Sequence, residues 1–248
     1  MKRFINKTDS VIEYLDERYY SHKQDDGTEI IVPSVTHILD IAYAKGYDFE
    51  QWLKDVGNNA KIIADRAKYS GSQVHNACRE LLDGALLSNE PEIFTLDEWK
   101  GIIGFTEFMG FVDKVYAYEQ TLIGIQYGGT LDLACNMRGE DYIIDYKFGN
   151  GVYDSNYLQL MAYKLLADKK YNKDFKIAIL WLKAHTRGER KRYVQGQGWQ
   201  IKEPTDDYET LTKVWNSAFE IFKHKNPECK PSNLIYPMKL QLNLEEKI

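Results

Sequence analysis

Residues Gly129 to Lys147 read GTLDLACNMRGEDYIIDYK, two strand-like runs joined at Arg138-Gly139. The apolar alternation of the first run and the Tyr-Ile-Ile centre of the second suit a pleated backbone, and glycine at the joint suits a tight turn. A hairpin closing there pairs Met137 with Glu140, Cys135 with Tyr142 and Leu133 with Ile144. The same register sets Asp132 directly opposite Asp145. Like charges so opposed destabilise an antiparallel pair unless something compensates, and a divalent cation would do so. Hard cations such as Mg²⁺ take oxygen ligands and commonly combine one or two carboxylates with substrate phosphates. Lys147 follows Asp145 on the same face, about 6–7 Å further along the strand. A lysine there can orient or help deprotonate an attacking water and offset charge on a phosphate. Two carboxylates and a lysine so spaced are a minimal device for phosphodiester hydrolysis, although the pattern alone also fits a strand that simply ends in solvent.

The chain around this hairpin divides into recognisable elements. Upstream, RYYSHKQDDGTEIIVPSV reads as two short strands about an Asp26-Gly27 turn, followed by a helix that Ser34 or Thr36 can cap. Residues from about Phe49 to Tyr69 look helical, and Gly71 is expected to interrupt before a second helix with Val74, Cys78, Leu81 and Leu82 on its apolar stripe. Gly84 should end that helix. A longer helix is expected from about Leu96 to Ala117, carrying Trp99, Ile102, Ile103, Phe108, Phe111, Val112 and Val115 at helical spacing. Strand periodicity is read only after Glu119, in TLIGIQY. Beyond the hairpin, Asp154 to Asp168 has the pattern of an amphipathic helix and FKIAILWL that of a buried strand. KRYVQ and GWQI read as further strands, and Tyr208 to Lys225 as a closing helix. The expectation is an α/β (α+β) fold, a mixed central sheet flanked by helices with a helical N-terminal portion. It is read as a single domain over 1–248: a hairpin and helices in 1–118, a catalytic core in 119–183, and strands and a helix in 184–248.

At 248 residues and 44% hydrophobic, the chain can bury a sizeable core. No run approaches the roughly 18 apolar residues of a membrane span, and the start has no signal-peptide pattern, so a cytoplasmic location is expected. Cys78, Cys135 and Cys229 are scattered and odd in number, which suits buried free thiols better than disulfides or a CxxC site. A net charge of −5 argues against an all-over electrostatic footprint for DNA. The local exception is KAHTRGERKR, where Lys183, Arg187, Arg190, Lys191 and Arg192 face only Glu189. That run fits either a solvated hairpin tip or a DNA-contacting patch. Among the 18 tyrosines, some must be core and others are candidates to stack on unpaired bases.

GSQVH with His75, Glu119, GGTLD with Asp132, IIDYK with Asp145 and Lys147, and QLMAY with Gln159 and Tyr163 occur in the order seen in one known group. The chain resembles the PD-(D/E)XK nucleases, in particular their RecB-like and phage-exonuclease branch, and VPSVTHIL is similar to the start of such exonucleases. The resemblance covers roughly Tyr19 to Tyr163. It implies a restriction-endonuclease-like fold and a metal-dependent DNA exonuclease of phage or mobile-element type, acting in recombination, repair or processing. Its partners would be DNA ends and a single-strand-binding or annealing protein, with no membrane.

The resemblance further implies that Asp132, Asp145, the Tyr146 carbonyl and His75 ligate one or two Mg²⁺ or Mn²⁺ ions, the imidazole favouring Mn²⁺. Lys147 would position the attacking water. Glu119, ahead of the first core strand, would orient a ligand or water or bind a second ion. Gln159 and Tyr163, adjacent on one helix face, would look toward the site and DNA, as would Ser72, which replaces a threonine common in relatives. No iron–sulfur cluster is expected, because three scattered cysteines cannot supply four ligands. There is also no GxxxxGK[ST] motif for a motor. A non-catalytic DNA-binding scaffold and a structure-specific endonuclease are the alternatives on the same fold.

Overall fold

The computed structural model describes residues 6–8, 11–14, 17–23, 26–43, 46–183 and 198–228. Its centre is a five-stranded sheet in the order β5 (Val112–Ile123), β6 (Gly128–Met137), β7 (Glu140–Lys147), β8 (Lys176–Trp181) and β9 (Gln200–Lys202). Every neighbouring pair is antiparallel except β7 and β8, which run parallel. Parallel neighbours need a crossover, and α5 (Asp154–Tyr171) supplies it.

Alternate residues of the central strands feed two cores. Ile143, Ile177 and Ile179 face α1 (Val35–Ala42), α5 and α6 (Tyr208–Lys225), whereas Ile144, Ala178 and Leu180 face α3 (Ala60–Leu82) and α4 (Leu96–Met109). Both faces of β6, β7 and β8 are therefore covered, and these strands are nearly continuously buried. Helix α5 lies between the sheet and α6, so it buries most of its circumference, not only the expected stripe. Its buried Lys164 is paired with Asp168 and Asp174.

The N-terminal hairpin forms as β3 (Glu17–Lys23) and β4 (Glu29–Pro33), with Gly27 at a positive φ of 83° in the turn. Two strands that sequence patterning missed, β1 (Asn6–Thr8) and β2 (Val11–Tyr14), extend it to a four-stranded sheet. Ser34 caps α1 by accepting a hydrogen bond from the His37 N–H.

Two expected boundaries move. Gly71 does not interrupt a helix: α2 (Tyr47–Val56) ends at Gly57, whose φ is 54°, and after a short 3₁₀ turn α3 runs unbroken through Gly71. A single glycine costs a helix only about 1 kcal/mol relative to alanine, which packing of the α3 C-terminal half can outweigh. Likewise α4 stops at Met109, and β5 begins at Val112 instead of after Glu119. Register shifts at Val112/Lys114 and Val115/Ala117 break the two-residue period of β5, so its apolar residues imitate helical spacing. The expected division at 118/119 thus falls inside β5. KRYVQ lies outside the described residues.

Among the described residues no helix is long and apolar enough to cross a membrane. Cys78 and Cys135 are buried free thiols, and Cys229 is outside the described residues.

Candidate active site

The cross-strand pairs Met137↔Glu140, Cys135↔Tyr142 and Leu133↔Ile144 form in the expected register, and the ladder then stops. Asp132 and Asp145 do not make the next pair. Instead the Tyr146 N–H donates to Asp132 Oδ2 at 2.7 Å, so a side-chain carboxylate replaces the backbone acceptor at the point where the strands part. On its other side β7 keeps pairing with β8 as far as Lys147↔Trp181. Asp145 and Lys147 are thereby held on a rigid strand beside the opening.

Tyr142, Ile144 and Tyr146 belong to the α3/α4 core, so Asp145 and Lys147 emerge with Ile143 on the α5 side. Asp145 is 3% exposed, and its Oδ2 lies 2.6 Å from Lys147 Nζ without hydrogen-bond geometry. Burial pushes the Asp145 carboxyl up to about 6, Lys147 opposing and Asp132 reinforcing the rise. Burial pulls the Lys147 ammonium down, but the charges of Asp145 and Asp132 outweigh it and its pKa lies above the ordinary lysine value. Lys147 Nζ also donates to Gln159 Oε1 at 3.4 Å, and Gln159 Nε2 donates to the Tyr163 hydroxyl at 3.0 Å. Tyr163 is buried, and its ring occupies the space above Gly129, where a Cβ would lie 2.2 Å from Tyr163 Cε1. The glycine of GGTLD is thus a requirement of close packing.

From α3, His75 reaches the same opening. Its Nε2 is 3.2 Å from Asp132 Oδ2 and 3.2 Å from the Tyr146 carbonyl oxygen, and its Nδ1 is 3.6 Å from Glu119 Oε1. Burial disfavours the charged ring, but Asp132 and hydrogen bonding to Asp132 and Glu119 more than offset it and lift the imidazole to about 11. The imidazolium then bridges two carboxylates, a place a divalent cation could share.

Glu119 is not ahead of the first core strand but within it. It stands between the pairs Tyr118↔Leu133 and Gln120↔Leu131, hence across from Asp132. Its φ of 44° is unusual for a non-glycine residue in a strand and costs on the order of 1–2 kcal/mol.

Facing ligand atoms of His75, Glu119 and Asp132 all lie within 4.8 Å of one another. Asp145 stands outside that tight group, turned to Lys147, with a buried Oδ2 that lacks a hydrogen-bond partner. Carboxylate and carbonyl oxygens with one imidazole suit Mg²⁺ or Mn²⁺, and the nitrogen donor tilts the set toward Mn²⁺.

A cleft of about 480 Å³ opens onto this group, lined by Lys68, Ser72, His75 and Asn76 of α3 on one side. The Phe148–Tyr153 loop and Asn156 of α5 form the other side. Ser72 is exposed there and donates to the Lys68 carbonyl at 3.0 Å. Arg187, Arg190, Lys191 and Arg192 lie outside the described residues. Sequence reading passed over Lys68, Asn76, Phe148, Tyr153 and Asn156. The available signal was FGNGVY, a glycine-bearing loop with aromatic ends directly after the charged strand.

Compared with protein-family models and with curated proteins, the sequence gives no match.

Proposed function

We propose that the protein is a divalent-metal-dependent deoxyribonuclease of the PD-(D/E)XK, RecB-like type, an exonuclease that hydrolyses phosphodiester bonds in DNA recombination, repair or processing. One observation carries the reading: the buried Asp145–Lys147 pair shares a strand-end opening with His75, Asp132 and the Tyr146 carbonyl, and His75, Tyr146 and Lys147 line one cleft. These groups come from α3, β6 and β7. Gathering buried carboxylates in this way disfavours folding, and such clusters are characteristic of functional sites.

Asp132, Asp145, the Tyr146 carbonyl and His75 would hold the ion. Glu119, 3.6 Å from Nδ1, would fix the imidazole so that Nε2 is turned to the ion, the arrangement by which outer carboxylates orient histidine ligands. When bound, Mg²⁺ or Mn²⁺ supplies Lewis-acid stabilisation of a phosphoryl oxygen and acidifies water. Lys147, steadied by Gln159, positions the attacking water and offsets charge building on the phosphate. The local cations reverse the sign of an acidic chain where a polyanion must approach.

The test is degradation of end-labelled linear DNA against a closed circle, each with Mg²⁺, Mn²⁺ or EDTA. An exonuclease removes the linear substrate alone and only with metal. Cleavage of the circle would identify an endonuclease. No cleavage with either metal, combined with DNA binding that falls in Asp145→Asn, would identify a binding scaffold instead.

A further inference from the structure

We propose that a second pocket, at the far end of the β6–β7 hairpin from the acidic opening, docks an arginine side chain of a partner protein. Tyr142 stands five residues before Lys147 on β7, about 16 Å away along the strand. The pocket holds about 240 Å³ between α4, the hairpin turn and β9. Phe108 and Tyr142 are buried at its base, Phe111 and Trp199 stand at its side, and Glu140 and Glu203 are exposed at its rim. It is smaller than the roughly 300–1,000 Å³ of sites that enclose a whole small molecule, and it suits one inserted side chain.

The walls select a cation. The Trp199 ring lies 5.9 Å from that of Phe108 and 5.8 Å from that of Phe111, edge-on to the first and tilted to the second, so the three form an aromatic corner. Ring faces carry negative charge and attract cations. Trp199 is held in place: its Nε1–H donates to Glu107 Oε2 at 2.9 Å, and its ring packs on Gly104, where a Cβ would lie 3.0 Å from Cδ1. The hairpin turn takes a positive φ at both central residues, 53° at Arg138 and 81° at Gly139, a geometry that favours Asn or Gly at the first. Arg138 stands there nonetheless, its guanidinium 5.1 Å from the centre of the Phe111 ring. The chain's own cation thus shows what this ring accepts. Glu203 Oε1 accepts the Tyr142 hydroxyl at 2.7 Å and has no cationic partner among the described residues, whereas Glu140 faces Lys176 at 3.2 Å.

A guanidinium meets these walls better than an ammonium does, because it stacks flat on aromatic rings while its fork reaches a carboxylate. The glutamates repel a phosphate backbone, which disfavours nucleic acid at this end of the sheet. Apolar surface also runs on from the pocket along α4: Phe111 is 40% exposed, and Ile103, one turn before Glu107, is 43% exposed. A free guanidinium compound makes no use of that margin. An arginine anchored among aromatic rings with apolar surroundings is the composition of a protein-interface hot spot.

The experiment titrates the full chain with three acetylated, amidated tripeptides, Gly-Arg-Gly, Gly-Lys-Gly and Gly-citrulline-Gly. Nitrogen–proton spectra follow the Trp199 indole N–H, assigned by its loss in Trp199→Phe. The arginine peptide should shift that signal saturably, bind about threefold more tightly than the lysine peptide, and leave the citrulline peptide without effect. Glu140→Gln with Glu203→Gln should weaken it at least fivefold, the glutamine at 203 still accepting the Tyr142 hydroxyl. Arg138→Gly suits the positive φ and removes the resident cation, so it should tighten binding; loss of binding there would make Arg138 an attracting group and overturn the inference. An equal response to citrulline, or none to arginine, overturns it as well. Tetramethylammonium has no hydrogen-bond donor, and binding as tight as the arginine peptide's would identify a site for free quaternary cations instead. Movement of the indole signal on concentrating the protein alone would assign the pocket to a second copy, and movement with an oligonucleotide would assign it to nucleic acid; either result sinks the arginine reading.

Discussion

Asp132 Oδ2 accepts the Tyr146 N–H at 2.7 Å and lies 3.2 Å from His75 Nε2, so one oxygen both ends a strand ladder and faces the imidazole. The fold and the candidate ligand set therefore share an atom. Asp132→Asn retains a carbonyl acceptor for Tyr146 but loses the charge. It should unfold within about 1 kcal/mol of wild type in urea while losing Mn²⁺ binding in calorimetry. Asp132→Leu strands the buried N–H and should be less stable by about 1–3 kcal/mol. Equal unfolding midpoints for the two variants would show that the hydrogen bond contributes nothing.

Glu119 should trade stability for function. Glycine adopts a positive φ without steric cost, so Glu119→Gly should be more stable than Glu119→Ala by about 1 kcal/mol. Both variants remove the carboxylate that faces His75 Nδ1, and both should weaken Mn²⁺ binding alike. Thermal melts and metal titrations of the pair read the two effects separately; retention of full affinity in either variant would remove Glu119 from the site.

The contact between Gly129 and Tyr163 predicts a strict size limit. A methyl group at 129 would sit 2.2 Å from Tyr163 Cε1, far inside van der Waals contact, and Tyr163 is itself buried in the core on the α5 side of the sheet. Gly129→Ala should cost about 1–3 kcal/mol by overpacking. Tyr163→Leu added to it should recover part of that loss, and a double-mutant cycle in urea measures the recovery.

Acid stability should carry the signature of Asp141. Lys173 Nζ at 2.6 Å, the Tyr116 hydroxyl at 2.6 Å and Asn136 Nδ2 at 2.7 Å all donate to its carboxylate and hold it down to about 2. A carboxyl depressed in the folded state contributes stability above its unfolded value near 3.9, and that contribution disappears as pH falls toward 2. Wild type should thus exceed Asp141→Asn in stability at pH 6, with the difference shrinking between pH 4 and pH 2. A difference independent of pH would contradict the assignment.

Metal addition should raise the melting temperature through the same cluster. Ion binding to the folded state alone stabilises by about 2.7 kcal/mol at a concentration 100 times Kd, and EDTA should reverse it. The rise should vanish in a His75→Ala, Asp132→Asn double variant. A rise that survives would place the ion elsewhere.

Local chemistry was legible where one residue decides one feature. Gly139 and its neighbours set the β6–β7 register, Ser34 caps α1 as its side chain allows, and the period of Tyr208–Lys225 marks α6. The DxK spacing placed Asp145 and Lys147 on one face because strand geometry leaves no other choice. What the sequence by itself determined is thus the α/β class, most elements and a short roster of candidate chemistry. Tertiary structure decided the rest. The bulges of β5 are set by pairing with β6, so Glu119 could not be placed in a strand from its neighbours alone. The opening at Asp132 exists because β7 continues along β8 after leaving β6, and Tyr153 borders the cleft only because α3 packs across from its loop. Side-chain periodicity is a property of neighbouring residues, whereas a strand end, a cleft wall and a shared carboxylate depend on segments that only the folded chain brings together.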